Sequence, residues 1–345
     1  MLNNDLSLEK GFFYIITGPN GTGKSRMLKS LSELALKDEK YSRVICLSGG
    51  RYDGFEISYQ NEFNNKYFYL DPGDYHEFSL PVLLRRLFNV IQQDYEDFLD
   101  SYRKKLSLIM KLFRVIDFHE CIVLFSIEEN GECKYYPWPL FSSKFPQFFN
   151  DSFYISKIIF IKNNGIYDFH ELSSGERSIL LMILGVTLTI EDNSIIFYDE
   201  PENSMHPKWQ EYIISFLQEI VMLSCNSTVV IATHSPLVVS NVTVSNKKII
   251  TLGDKDSNWK DYSNNSNIED TLYKVFNKIT PQSHLLSIEI SKVVKDMLDE
   301  NISEAIARGK LNKLREAGLD DIQNELIDAV ISNLNEMKSN YDRID

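Results

Sequence analysis

The chain has 345 residues, 43% hydrophobic and 25% charged, the make-up of an ordinary globular protein with enough apolar residues for a sizeable core. With 36 basic against 49 acidic side chains the net charge is −13, which disfavours binding a nucleic-acid duplex through a broadly basic surface. Four scattered cysteines without a C-x-x-C pair argue against a zinc ribbon or a disulfide scaffold, and no leader or stretch of ~20 apolar residues is evident, so a cytoplasmic protein with no membrane insertion is expected.

Phe12 to Thr17 reads as a buried strand, followed by a helix from Lys24 to Leu36 with apolar residues at Met27, Leu28, Leu31 and Leu34. Arg43 to Leu47 is a second strand, closed by Ser48-Gly49-Gly50, and the aromatic stretch from Arg51 to Phe78 carries no clear period. Ser79 and Pro81 suit a helix start. Apolar side chains then recur in threes and fours from Leu84 through Tyr102, Leu106 and Ile109 to Phe113, the pattern of a long helix, or of two helices end to end, packed on its own domain. Asn130-Gly131 and Asn164-Gly165 each mark a tight hairpin, joining Cys121–Ile127 to Lys134–Trp138 and Phe153–Ile161 to Ile166–Phe169. Next come a helix (Glu176 to Ile190), a strand (Ser194 to Tyr198), a helix (Pro207 to Leu223), a strand (Thr228 to Ala232) and a final strand (Lys248 to Leu252). The tail from Asn267 to Asp345 is polar and helix-prone, with Gly309 and Gly318 as expected breaks.

This alternation predicts an α/β fold: a mainly parallel sheet flanked by helices, with an antiparallel β subregion, a helical insertion at about 79–117 and a helical C-terminal tail. The expected division is 1–255 for the α/β domain and 256–345 for the helical region.

Gly18-Pro19-Asn20-Gly21-Thr22-Gly23-Lys24-Ser25 fits G-x-x-x-x-G-K-[ST] between a predicted strand and helix. Glycines let the backbone curl so that successive N–H groups face phosphates, and the helix dipole adds to them. Lys24 supplies a point charge for the β- and γ-phosphates, and the Ser25 hydroxyl is a Mg²⁺ ligand. Ile195 to Tyr198 leads into Asp199-Glu200. A strand carrying such an aspartate is expected beside the phosphate loop, with Asp199 holding Mg²⁺ through water and Glu200 acting as general base on the attacking water. Leu172-Ser173-Ser174-Gly175-Glu176 opens a predicted helix; Ser173, Ser174 and Gly175 suit either an anion site or simple capping.

Leu-Ser-Ser-Gly-Glu, with Gly175 placed 24 residues before Asp199, resembles the signature of the ABC-type ATPase superfamily. Thr233-His234-Ser235-Pro236 resembles its switch histidine, and Asp199 to Pro207 its Walker B and D-loop segment in the soluble branch that includes the SMC, DNA-repair and overcoming-lysogenization-defect ATPases. The resemblance implies ATP and Mg²⁺ as cofactors and a head-to-tail homodimer, or a higher oligomer built on it. In that dimer the phosphate loop of one copy and Ser174-Gly175 of the other enclose each nucleotide, and His234 reads the γ-phosphate. The family's Q-loop glutamine is not obvious; Gln60 is the best placed candidate. No long coiled coil is present, which argues against chromosome-spanning function. Val44 to Ser48, Arg51 to Phe55 and Tyr67 to Leu70 resemble the matching stretch of small anti-phage defence ATPases, of the Septu PtuA and retron-associated kinds, which work with a separate nuclease often of the HNH type.

The chain is therefore expected to be an ATPase switch controlling a partner effector. The alternatives are a transporter's ATPase subunit and a slowly turning nucleotide-binding scaffold. The basic side chains of the long helix (Arg85, Arg86, Arg103, Lys104, Lys105, Lys111, Arg114) interleave with acids and read as a solvated face or a nucleic-acid contact. Gly253-Asp254-Lys255-Asp256 reads as a surface turn rather than a nuclease centre.

Overall fold

In the computed structural model, five apolar runs become short parallel strands, every residue of which is buried: β1 (Phe13–Thr17), β2 (Val44–Ser48), β3 (Tyr67–Leu70), β8 (Ile195–Asp199) and β9 (Thr228–Ala232). Burial on both faces is why they lack polar alternation. With β10 (Lys247–Thr251) and the two-residue antiparallel β11 (Lys260–Asp261) they form a seven-stranded sheet, order β11-β10-β1-β9-β8-β2-β3. Described are residues 7–49, 54–56, 58–63, 66–72, 84, 95–129, 132–142, 154–203, 205, 207–253, 258–262, 268–279, 284–317, 319 and 321–341.

Three expectations are corrected here. The strand ending in Asp199 is not beside the phosphate-loop strand: β9 lies between them, pairing with β1 on one side and β8 on the other. The C-terminal ends still align, because Ala232 of β9 is in register with both Ile16 and Asp199. The strand Lys247–Thr251 is not the last, since β11 follows it. And Leu34 does not join the buried stripe of the helix Lys24–Lys37; it is exposed, and Ala35 and Leu36 are buried with Met27, Leu28 and Leu31.

Helices cover both faces of the sheet. Tyr67 and Tyr69 of β3 share a core with Met27, Leu28 and Leu31 of the helix after β1. Leu70, one residue on and so facing the other way, meets Gly185, where a Cβ would stand 2.6 Å from Leu70 Cδ1. Gly185 sits in a buried π-helical segment (Met182–Val186) between the helical segments Ser174–Leu181 and Thr187–Thr189. The region 51–78, which carried no period, holds the short helix Tyr59–Glu62 as well as β3.

A second, antiparallel sheet has the order β5-β4-β6-β7, from β4 (Phe118–Glu129), β5 (Glu132–Pro139), β6 (Tyr154–Lys162) and β7 (Gly165–Asp168). The expected turn at Asn130-Gly131 lies outside the described residues, as do Ser79, Pro81, Arg85, Arg86, Gly318 and the turn residues Asp254 to Asp256. Of the long helix, Tyr95–Val115 is described. It buries Tyr102, Leu106, Ile109, Leu112 and Phe113.

The chain separates into two compact units, Met1–Tyr262 and Ser263–Asp345. The second is built from the helices Ile268–Phe276, His284–Leu298, Glu304–Leu314 and Asp321–Tyr341 around a core including Leu286, Ile290, Met297, Leu311 and Ile327. Gly309 does not break a helix; it lies inside Glu304–Leu314, which Ser303 caps at its N-terminus through Ile306 N. One glycine's propensity cost of about 1 kcal/mol is outweighed there by the burial of Ala307, Leu311 and Leu314.

Candidate functional site

The loop from Gly18 to Ser25 leaves β1 and enters the helix Lys24–Lys37. Gly18, Gly21 and Gly23 hold φ of +142°, +82° and +94°, values that favour glycine. At Gly18 a Cβ would also stand 2.5 Å from the carbonyl oxygen of Leu252, so that residue is required twice over. Gly23 caps the helix without a side-chain hydrogen bond, which leaves first-turn N–H groups for an anion. Lys24, 5% exposed, donates through Nζ to the carbonyls of Gly18 at 3.0 Å and Pro19 at 3.3 Å. Thr22 Oγ1 braces the turn by donating to Pro19 O at 2.8 Å. Asn20 is exposed and Ser25 partly buried at the helix start.

Asp199, 3% exposed, ends β8 in register with Ser48 of β2 and Ala232 of β9. Glu200 then turns out of the strand at φ +45°, a left-handed conformation that costs a non-glycine residue about 1–2 kcal/mol. Three contacts hold it there. Its N–H donates to Ala232 O at 2.8 Å, its carbonyl accepts from Asn203 N at 3.0 Å, and Gly49 lies against it. A Cβ on Gly49 would be 1.9 Å from Glu200 O, and Gly49 N donates to Asp199 O at 2.8 Å. The Glu200 carboxylate accepts from Asn203 Nδ2 at 2.6 Å through Oε2, while Oε1 lies 3.5 Å from His234 Nδ1.

His234 follows β9, its imidazole nearly half exposed. Beneath it Glu202, 6% exposed, accepts through Oε1 from Thr233 Oγ1 at 2.6 Å and from His234 N at 2.9 Å, with His234 Nδ1 at 3.3 Å. The ends of β1, β8 and β9 therefore gather the phosphate loop, Asp199, Glu200 and His234 on one edge of the parallel sheet, where open α/β sheets bind ligands.

Ser173, Ser174 and Gly175 are organised by the other sheet. Ser173 caps the helix that starts at Ser174, its Oγ accepting from Glu176 N at 3.3 Å, while Glu176 Oε2 accepts from Ser173 N at 2.9 Å. Lys162 of β6 pairs with Glu176. Burial works to raise the Glu176 carboxyl, but Lys162 and the Ser173 bonds outweigh it and hold it below the usual carboxylate range. Ser173 thus spends its hydroxyl on capping, whereas Ser174 is exposed and Gly175 buried. Gln60 falls in the helix Tyr59–Glu62, and its side chain lies outside the described residues, as do Ser204 and His206.

The residues fit a nucleotide with a divalent cation. The cradle of open glycines and the uncapped helix suit a polyphosphate. Among the described residues no three His, Cys, Asp or Glu side chains cluster to hold a metal by themselves. Mg²⁺ is commonly held by one or two carboxylates plus substrate phosphates and water; Asp199 and Ser25 are the candidate ligands.

Sequence reasoning missed Glu202, Asn203 and Gly49 as site residues. A second acid two residues after Glu200 and a Gly-Gly pair closing β2 were the available signals.

A family profile described as "AAA domain, putative AbiEii toxin, Type IV TA system" matches residues 55–240, more than half the chain, taking in Ser173 to Gly175, Asp199, Glu200 and His234. None of the curated proteins compared matches. One solved structure that matches is described as a dimeric, post-hydrolysis state of the ATP-binding cassette MJ0796 bound to ADP and Pi. It superposes with a TM-score of 0.35 at 16% identity, over 74% of this chain and 88% of that one.

Proposed function

The chain belongs to this AAA-domain family, whose profile spans residues 55–240, and from that premise we propose that it is an ATP-hydrolysing switch that works as a head-to-tail dimer and controls a separate effector. The observation that carries this reading is the convergence of a complete phosphate loop, Asp199, Glu200 and His234 at the C-terminal ends of β1, β8 and β9.

The chemistry follows from those groups. Lys24 exchanges its bonds to the Gly18 and Pro19 carbonyls for β- and γ-phosphate oxygens, and the N–H groups of the loop and helix take the rest. Ser25 and, through water, Asp199 would hold Mg²⁺, which would supply charge neutralisation on the phosphates. Glu200 orients the attacking water and accepts its proton. His234 reports whether the γ-phosphate is present. Ser174 is exposed at the start of its helix, with the capping already done by Ser173 and Glu176. That frees it to meet a second copy's triphosphate, where it stabilises developing charge in trans.

The effector is taken to be a nuclease in anti-phage defence, on the resemblance of residues 44–48, 51–55 and 67–70 to the small defence ATPases.

The test is Glu200→Gln. Phosphate release should fall by roughly 10²–10⁴-fold, and light scattering with ATP and Mg²⁺ should show an accumulated dimer. Unchanged phosphate release would remove Glu200 from the role of base. A wild type that assembles on ATP with negligible turnover would support the scaffold reading instead.

A further inference from the structure

Glu202 is the acid that the proposed reaction leaves unused, and it is more deeply buried than Glu200. Removing a carboxylate from water is costly unless donors compensate. Its Oε1 takes two at hydrogen-bond distance, Thr233 Oγ1 at 2.6 Å and His234 N at 2.9 Å. Thr233 is itself fixed, because its Oγ1 accepts from Ser235 N at 2.9 Å and its N–H donates to Ile16 O at 3.0 Å. The turn after β9 is therefore bound both to Glu202 and to the strand that carries the phosphate loop.

The same oxygen lies 3.3 Å from His234 Nδ1, with Glu200 Oε1 at 3.5 Å on that nitrogen. Carboxylate oxygens that are ionised only accept, so a hydrogen on Nδ1 would face both of them and leave Nε2 to meet a ligand. We propose that Glu202 is a positioning residue: its buried carboxylate fixes the tautomer and seat of His234 and draws the Nδ1 hydrogen away from Glu200, so that Glu200 is left to act on water. Without Glu202 the imidazole would pair with Glu200 alone and occupy it.

This inference rests on the ATPase reading, and its test separates the two. Glu202→Ala is compared with wild type in the full chain, alone and combined with His234→Ala. We expect kcat for ATP to fall roughly 10–100-fold, the usual effect of losing a group that orients another, with KM within about twofold. In the His234→Ala background the same change should cost nothing further, since a residue acting through His234 is non-additive with it. The ¹⁵N spectrum of the imidazole, read without nucleotide, should show the Nδ1–H form in wild type and a tautomer mixture in Glu202→Ala. If Glu202→Ala does not fold, Glu202→Gln keeps the shape and a neutral acceptor and should lose roughly threefold in kcat, the weaker acceptor giving about half the hydrogen-bond strength. An unchanged kcat, an equal loss in both His234 backgrounds, or an unchanged tautomer each overturns the proposal. A wild type inert towards ATP would sink the ATPase reading while the imidazole spectrum still tests Glu202.

Discussion

Gly49 shows how much a missing side chain controls. It has no unusual φ, so no turn demands glycine there; what demands it is the Glu200 carbonyl, 1.9 Å from where a Cβ would be. Backbone cannot rotate aside as a side-chain tip can, so Gly49→Ala must push β2 from β8 or release Glu200 from its left-handed conformation. Overpacking of this kind costs about 1–3 kcal/mol, and the displaced group is the proposed base. We expect Gly49→Ala to lower the thermal midpoint and also to reduce kcat by at least tenfold, each roughly 1.4 kcal/mol of barrier being one factor of ten. A folded variant with full turnover would show that Glu200 does not need this support.

At the scale of elements, the helix that begins at Ser174 is anchored at both ends. Glu176 ties its start to Lys162. Beyond its end, Lys105 of the helix Tyr95–Val115 donates to the carbonyls of Leu188 at 3.1 Å and Ile190 at 2.8 Å. Burial pushes the Lys105 ammonium down from 10.5 to about 8, with nearby Glu191 opposing and Arg43 assisting. Below pH 8 both folded and unfolded chains carry this proton. Between about 8 and 10.5 the unfolded chain keeps it while the folded one sheds it, so this group's contribution to stability rises with pH. Urea melts of wild type and Lys105→Met should therefore diverge in favour of wild type by roughly 2–3 kcal/mol between pH 7.5 and 10. A constant difference would show that the ammonium is not desolvated.

For the whole molecule, the two units have separate cores: one runs from Leu8 through Tyr14, Leu28 and Phe197 to Leu252, the other from Ile279 to Leu334. A chain ending at Tyr262 should keep a cooperative thermal transition and bind ATP, as followed by calorimetry. Loss of that transition would mean that the first unit needs the second to fold. No helix among the described residues is long and apolar enough to cross a membrane.

Reading the residues alone placed the glycine-rich loop between a strand and a helix, the acid pair Asp199-Glu200 at a strand's end and most strands, because their signals are local: a glycine spacing, an apolar run, an acid pair at its end. It missed the insertion of β9 between β1 and β8, since strand order depends on pairing between segments distant along the chain. It placed Leu34 on a buried face that its neighbours turn to solvent, and a break at Gly309 that the packing of Ala307 and Leu311 overrides. Glu202 and Gly49 belong to the same class. Their importance lies in distances to Thr233, His234 and Glu200 that exist only once separate strands have been brought side by side.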